Sequence, residues 1–327
     1  MLLRLFRAQY LVQYILLFFL TAVFWFDAFL FPEKLLIDSE GLIFPGINTL
    51  GLAWSYVFLG LSVAILYFQA IMLNSLLQAH RLVERNQLTA ALIYIVMMSS
   101  QPAMIAPNTM LAVNFLLILM LNGVLRLNPK SETLGRLFDI GFLAGLATLL
   151  YFPAIVFLLF IVISLIVLQM FRWREWLIPI TGFIAPWLFV GTWYFWFDEL
   201  QEKAGQLLSR FTLALPDYPS ISTEEGVIWG LFALLALLGL AKIRRLSGEG
   251  SSGGRKKSRI IFVLFLMAIL SAFIPGNSFQ SHVYLEIIPV SIFLAAYISR
   301  LRRMFLVELL FFIIIIAIVA IRILNLS

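Results

Sequence analysis

Cysteine is absent from all 327 residues, and histidine occurs only twice, at His80 and His282. The first absence excludes a disulfide framework, thiol catalysis and cysteine-based metal centres. The second excludes a multi-histidine metal site, so no metal ligand set is assigned. Charge is also scarce. Only 12% of residues are Asp, Glu, Lys or Arg, against 62% hydrophobic, and the mean hydropathy is +1.02. A soluble domain carries about a quarter charged residues, so lipid must be the solvent for most of this chain. No room is left for a soluble catalytic domain. Nor does the chain contain a Gly-rich phosphate loop, a zinc signature or a serine–histidine arrangement. No internal repeat of the inverted-transporter kind is visible.

What fills the chain is a series of apolar runs long enough to cross a bilayer, for which about 20 residues suffice. Eleven spans are expected, at roughly 11–31, 50–73, 88–104, 109–126, 134–151, 154–171, 177–197, 226–243, 260–275, 283–299 and 304–324. The run from 134 to 171 is too long for one span, so Pro153 is expected to mark a reversal, and Arg172 and Arg174 a water-facing turn. The first run follows Arg4 and Arg7 as a secretory signal would. However, it ends in Phe24-Trp25-Phe26-Asp27 where a small-residue cleavage site should stand, so an uncleaved anchor is expected. A nine-span version with re-entrant segments at Pro102 or Pro153 is the main competitor.

Threaded from a cytoplasmic N-terminus, eleven spans gather nearly all Lys and Arg on one side and leave Lys34, Lys203, Arg210 and Arg322 on the other. That asymmetry supports both count and orientation, with the C-terminus periplasmic. It also accounts for the net charge of +6 without a nucleic-acid partner. The fold class expected is therefore an all-α polytopic bundle whose partner is the lipid bilayer. Residues 1–246 would form the main body, 247–259 a flexible, basic, lipid-facing cytoplasmic linker, and 260–327 a three-span bundle. From Leu200 to Leu215 the apolar positions share one helical face, the pattern of a periplasmic helix lying in the interface.

Two resemblances follow from particular stretches. Leu137-Phe138-Asp139 with Gly141 and Gly145, then Tyr151-Phe152-Pro153, then Trp173-Arg174-Glu175-Trp176-Leu177-Ile178-Pro179 with Gly182 and Pro186, resemble a family of bacterial inner-membrane proteins defined as a domain of unknown function. That resemblance implies an inner-membrane location and no particular activity. More loosely, three features are similar to the GT-C superfamily of membrane glycosyltransferases. These are the acidic first outer loop, the helix–proline–helix segment 141–171, and His282-Val283-Tyr284-Leu285-Glu286-Ile287-Ile288-Pro289. The resemblance implies a polyprenyl-phosphate-linked sugar as donor, taken up at the periplasmic face. The chain departs from that superfamily where an acidic pair usually follows the first span, because here Asp27 is followed by Ala28.

Candidate chemistry is correspondingly sparse. Asp27 lies among aromatics at the outer end of the first span, where an ionisable group suggests function and a base can reach an acceptor hydroxyl. It can equally mark the interface, as Asp198 does. Asp38 and Glu40 are alternative catalytic carboxylates in the first outer loop, or solvated loop acids. His282 and Glu286 are one helical turn apart and share a face. With Tyr284 they form the expected substrate-binding group, against a purely local His–Glu contact. Trp173, Arg174, Glu175 and Trp176 offer a contact for a membrane-protein partner, or ordinary interfacial anchoring. Three functions follow: a transferase, a non-catalytic scaffold of an envelope assembly, and a transporter or flippase.

Overall fold

The computed structural model describes residues 2–30, 52–84, 86–100, 108–129, 133–210, 252–274, 279–299, 301 and 305–326, together with Gly226, Gly230 and Leu237 singly. Among them every regular element is helical. The elements are α1 (Leu2–Leu5), α2 (Leu11–Phe24), α3 (Phe26–Leu30), α4 (Leu52–Ala79), α5 (Thr89–Met98), α6 (Thr109–Leu125) and α7 (Leu134–Leu150). After a 3-10 turn (Phe152–Ile155) come α8 (Val156–Leu168), α9 (Trp173–Trp196), α10 (Leu200–Arg210), α11 (Ser252–Ser271), α12 (Phe279–Ser299) and α13 (Phe305–Leu326). Among the described residues three stretches are long and apolar enough to cross a membrane: Tyr56–Ala79, Trp173–Trp196 and His282–Ser299.

These three lie in different surroundings. The most apolar stretch of α12 is 89% buried, and that of α9 only 22%. Helix α12 is thus the interior element, packed on α5, α6 and α11. Among the described residues, helix α9 packs chiefly on α7. It turns Leu188, Phe189, Trp193 and Trp196 outward, a face suited to lipid. All ten residues of α5 are buried, but its length of about 15 Å is half a hydrocarbon thickness.

The α7–α9 contact is set by residue size. Gly141 lies against the Pro179 carbonyl, Gly145 against that of Phe183, and Gly182 against that of Phe138, so close that a β-carbon at any of the three would overlap the opposing backbone. Small residues four apart let helix backbones approach in this way. Carbonyls aimed at glycine Cα–H groups add weak hydrogen bonds. Because Gly141 pairs with Pro179 and Gly145 with Phe183, both numbers rise together and the two helices run parallel. Helix α8 must therefore carry the chain back between them, which places one reversal at the Pro153 turn. The second lies at 169–172, where Gln169 closes α8 in the left-handed conformation (φ 66°).

Two expected boundaries move. Trp173-Arg174-Glu175-Trp176 is the first turn of α9 rather than a water-facing turn, because Glu175 reaches back to accept the Arg172 amide (3.1 Å) and so caps the helix. Helix α11 begins at Ser252, inside the expected linker, and Lys256 is fixed by bonds to the Leu168 carbonyl and Gln169 Oε1 (3.3 and 2.9 Å). The first span is interrupted at Trp25, whose indole donates to Ser99 Oγ (3.2 Å). The expected span at 226–243 lies outside the described residues, apart from Gly226, Gly230 and Leu237.

Cross-links sort the helix ends into two groups. At one end Arg7 donates to the carbonyls of Ile298, Ser299 and Leu301, and the Leu88 amide to the Phe6 carbonyl. There too Arg136 donates to the Arg126 carbonyl, and Lys257 to His80 Nδ1 (3.0 Å). This is the basic end. At the opposite end Trp25 meets Ser99, Asn108 meets Tyr284, and Tyr151 meets His282.

Burial, followed by the nearby Lys257 charge, lowers the His80 imidazole to about 4. An unfolded chain takes up that proton near 6.5. As pH falls, the unfolded state therefore binds protons first, and the stabilisation present above 6.5 is lost progressively towards 4. The unfolding midpoint of the detergent-solubilised protein is expected to drop between pH 7 and 4.5, and to drop less in His80→Asn, whose amide oxygen can replace Nδ1 as acceptor. Parallel pH curves for the two proteins would remove His80 from the account.

Candidate functional site

The end opposite the cations holds a polar group built from α12, α6 and the Pro153 turn. Helix α7 stops at Leu150 because Pro153 cannot continue it, and Tyr151 follows in extended conformation (φ −145°) before the 3-10 turn. That geometry sends the Tyr151 hydroxyl to His282 Nδ1 at 2.9 Å. The two rings meet edge to face, 5.7 Å apart. Both residues are buried.

One helical turn further along α12, Glu286 is half-buried, and its carboxylate makes no hydrogen bond or ion pair with any described residue. Between them, Tyr284 turns to α6. Its hydroxyl accepts from Asn108 Nδ2 (3.2 Å), and its carbonyl accepts from Asn114 Nδ2 (3.1 Å). Asn108 is held in turn as the N-cap of α6, its Oδ1 accepting the Met110 amide. A second layer ties α4 and α5 to the same region. Tyr94 donates to Gln69 Oε1 (2.9 Å), and Gln69 donates to the Leu111 carbonyl (2.6 Å).

A histidine positioned by a tyrosine, with a carboxylate on the same helix face that is unpaired among the described residues, is the equipment of acid–base chemistry. It also lies in a stretch where an ionisable side chain is costly to keep without a use. The described residues contain no group of three or more His, Asp or Glu placed to hold a metal ion.

The expected residues scatter around this arrangement. His282, Tyr284 and Glu286 come together as one group, and His282 bonds to Tyr151 rather than to Glu286. Asp27 is half-buried in the first turn of α3, beside Trp25, and neither His282 nor Glu286 hydrogen-bonds to it. Asp38 and Glu40 lie outside the described residues. Trp173 is 68% exposed, with the Arg174 guanidinium 5.6 Å from its ring. Glu175 and Trp176 are engaged locally, the latter donating to the Met170 carbonyl. In the sequence, Tyr151 reads only as part of a turn. Its signal was present as a hydroxyl-bearing aromatic beside the proline that ends α7.

A family model described as "Family of unknown function (DUF6427)" matches residues 42–327. The chain belongs to that family. The matched region includes the whole Tyr151–His282–Glu286 group and the α7–α9 glycine contact, so both are features of a DUF6427 chain rather than of an appended segment. Asp27 precedes the matched region. No curated protein and no solved structure matches this DUF6427 chain.

Proposed function

We propose that the chain is a multi-pass inner-membrane protein of eleven spans that transfers a sugar from a polyprenyl-phosphate carrier to a hydroxyl acceptor at the periplasmic face. The basic end, with the N-terminus, faces the cytoplasm, following the rule that keeps Lys and Arg inside. The C-terminus and the Tyr151–His282–Glu286 group face the periplasm. The observation that carries the reading is Glu286, half-buried and unpaired among the described residues, one turn from the Tyr151–His282 pair. Glu286 acts as general base, taking the acceptor hydroxyl proton as that oxygen bonds to the anomeric carbon. The bond from that carbon to the phosphate oxygen breaks, and polyprenyl phosphate leaves with the electron pair. His282, oriented by Tyr151, hydrogen-bonds to the donor phosphate, and Tyr284 is held in place by Asn108. The looser resemblance to the GT-C superfamily supports the donor class.

The reconstituted protein is expected to transfer labelled sugar from a polyprenyl-phosphate donor. Glu286→Gln is expected to lose about 100- to 10,000-fold in rate, the usual contribution of a positioned base, with an unchanged unfolding midpoint. Native mass spectrometry should find co-purified polyprenyl phosphate in the wild type and less of it in His282→Ala. If no such lipid is found under conditions that retain phospholipid, and Glu286→Gln preserves the cellular phenotype, the transferase reading fails. The second reading, a membrane scaffold, then takes its place. It is favoured by one observation, the outward-facing Trp173 and Arg174 at the start of the thinly covered α9.

A further inference from the structure

The cations of the basic end fall into two sets. Arg7, Arg136 and Lys256 each donate to backbone carbonyls at the C-terminal ends of α12, α6 and α8, where helix dipoles favour positive charge. Lys257, Arg81 and Arg126 have no such acceptor, and none pairs with a described carboxylate. Instead they converge from three helices. Lys257 on α11 points its ammonium at His80, just past α4. His80 interacts with Asn122 on α6, and Arg126, the C-cap of the same helix, lies within electrostatic reach of it. Arg81 in turn acts on Lys257. His80, Asn122 and Lys257 are half-buried, and Arg81 and Arg126 beside them are exposed.

Helix α4 ends here as α8 and α9 end at Gln169 and Asp198, on a non-glycine residue in the left-handed conformation. Arg81 has φ 57°, and the Leu82 amide closes back onto the Leu77 carbonyl (2.9 Å). That is the helix-ending geometry in which glycine is the least strained residue. An arginine is held where the fold alone would favour glycine.

We propose that Lys257, Arg81 and Arg126 form a binding site for a phosphate-bearing group, with His80 and Asn122 orienting the lysine. Three convergent cations match an anion with several acceptor oxygens better than a single carboxylate, the arginines offering planar forks and the lysine a point charge. The same phosphate chemistry is available from an anionic lipid headgroup or from a soluble phosphate compound. The site is independent of the proposed transfer chemistry at the opposite end.

The test uses the full chain in neutral detergent, with unfolding midpoints and native mass spectrometry read against added phosphatidylglycerol, phosphatidylcholine and inorganic phosphate. Phosphatidylglycerol is expected to bind and raise the midpoint, and phosphatidylcholine to do neither. Lys257→Gln, Arg126→Gln and Arg81→Gly should each weaken binding about fivefold, the factor given by roughly 1 kcal/mol per basic side chain at an anionic surface. The control Arg255→Gln removes an exposed charge from the same end and should change binding less than twofold. Arg81→Gly guards against misfolding as an explanation, because it should leave the unliganded midpoint unchanged or higher while binding falls. A midpoint raised by inorganic phosphate alone, and abolished by the same variants, assigns the site to a soluble phosphate compound. Equal losses in Arg255→Gln and Lys257→Gln would reduce the effect to diffuse attraction and overturn the proposal, as would equal binding of phosphatidylcholine.

Discussion

Gly141→Ala is expected to destabilise the protein by about 2 kcal/mol, while Gly135→Ala, less than two turns earlier in the same helix, is expected to stabilise it by up to about 1 kcal/mol. The intrinsic helix preference for alanine over glycine favours both changes by that smaller amount. What differs is the space. An added β-carbon at Gly135 has nothing within 4 Å, whereas at Gly141 it overlaps the Pro179 carbonyl and comes within 2.7 Å of its carbon. Overpacking typically costs about 1–3 kcal/mol, and here the obstacle is backbone, which yields only if α9 moves away from α7. Gly123→Ala should fall between them, because its close neighbour is the Ile140 side chain at 2.7 Å, which can rotate. Denaturant titration of the three variants in mixed micelles would rank them. Equal midpoints for Gly141→Ala and Gly135→Ala would mean that the close α7–α9 approach does not hold in solution.

Arg7→Met is the second large effect, expected at about 2–4 kcal/mol. Hydrogen bonds from a charged donor are worth about 1.5–3 kcal/mol each in net terms. One Arg7 nitrogen serves three carbonyls at the end of α12, at 3.0, 3.4 and 3.0 Å. Methionine keeps most of the apolar stem and leaves those carbonyls with only water. Arg7→Lys should recover part of the loss, because a single ammonium reaches fewer of them. Loosening should appear locally first, as faster hydrogen exchange at Leu88, whose amide is held by the Phe6 carbonyl, and faster proteolysis before α2. If Arg7→Met exchanges like the wild type there, the arginine does not fasten the N-terminal segment to the end of α12.

Local chemistry made part of this fold readable from the chain. Helices α6 and α7, at Thr109–Leu125 and Leu134–Leu150, lie within one residue of the spans expected at 109–126 and 134–151. Of the basic residues expected to share one side, Arg7, Arg136 and Lys257 are fastened at one end of the described bundle. The misplaced boundaries have an opposite origin. Residues 252–257 read as linker because they continue the Gly/Ser run 247–254 into basic residues, but Lys256 is fixed by Gln169, 87 positions away. The candidate site was half visible for the same reason. His282 and Glu286 are helical neighbours and could be paired on paper, whereas the Tyr151–His282 bond joins residues 131 apart. No periodicity encodes such a contact.

The parallel docking of α7 and α9 also has a consequence for the order of events during synthesis. Gly182 emerges roughly 40 residues after Gly141, which at about 5–20 residues per second is a delay of several seconds. Throughout that interval the notch along α7 faces lipid or a neighbouring chain, and α8 must already have turned back before its proper occupant arrives. A newly made α7 is therefore a transient acceptor for any helix with exposed carbonyls, and correct assembly depends on the Pro153 turn delivering α9 first.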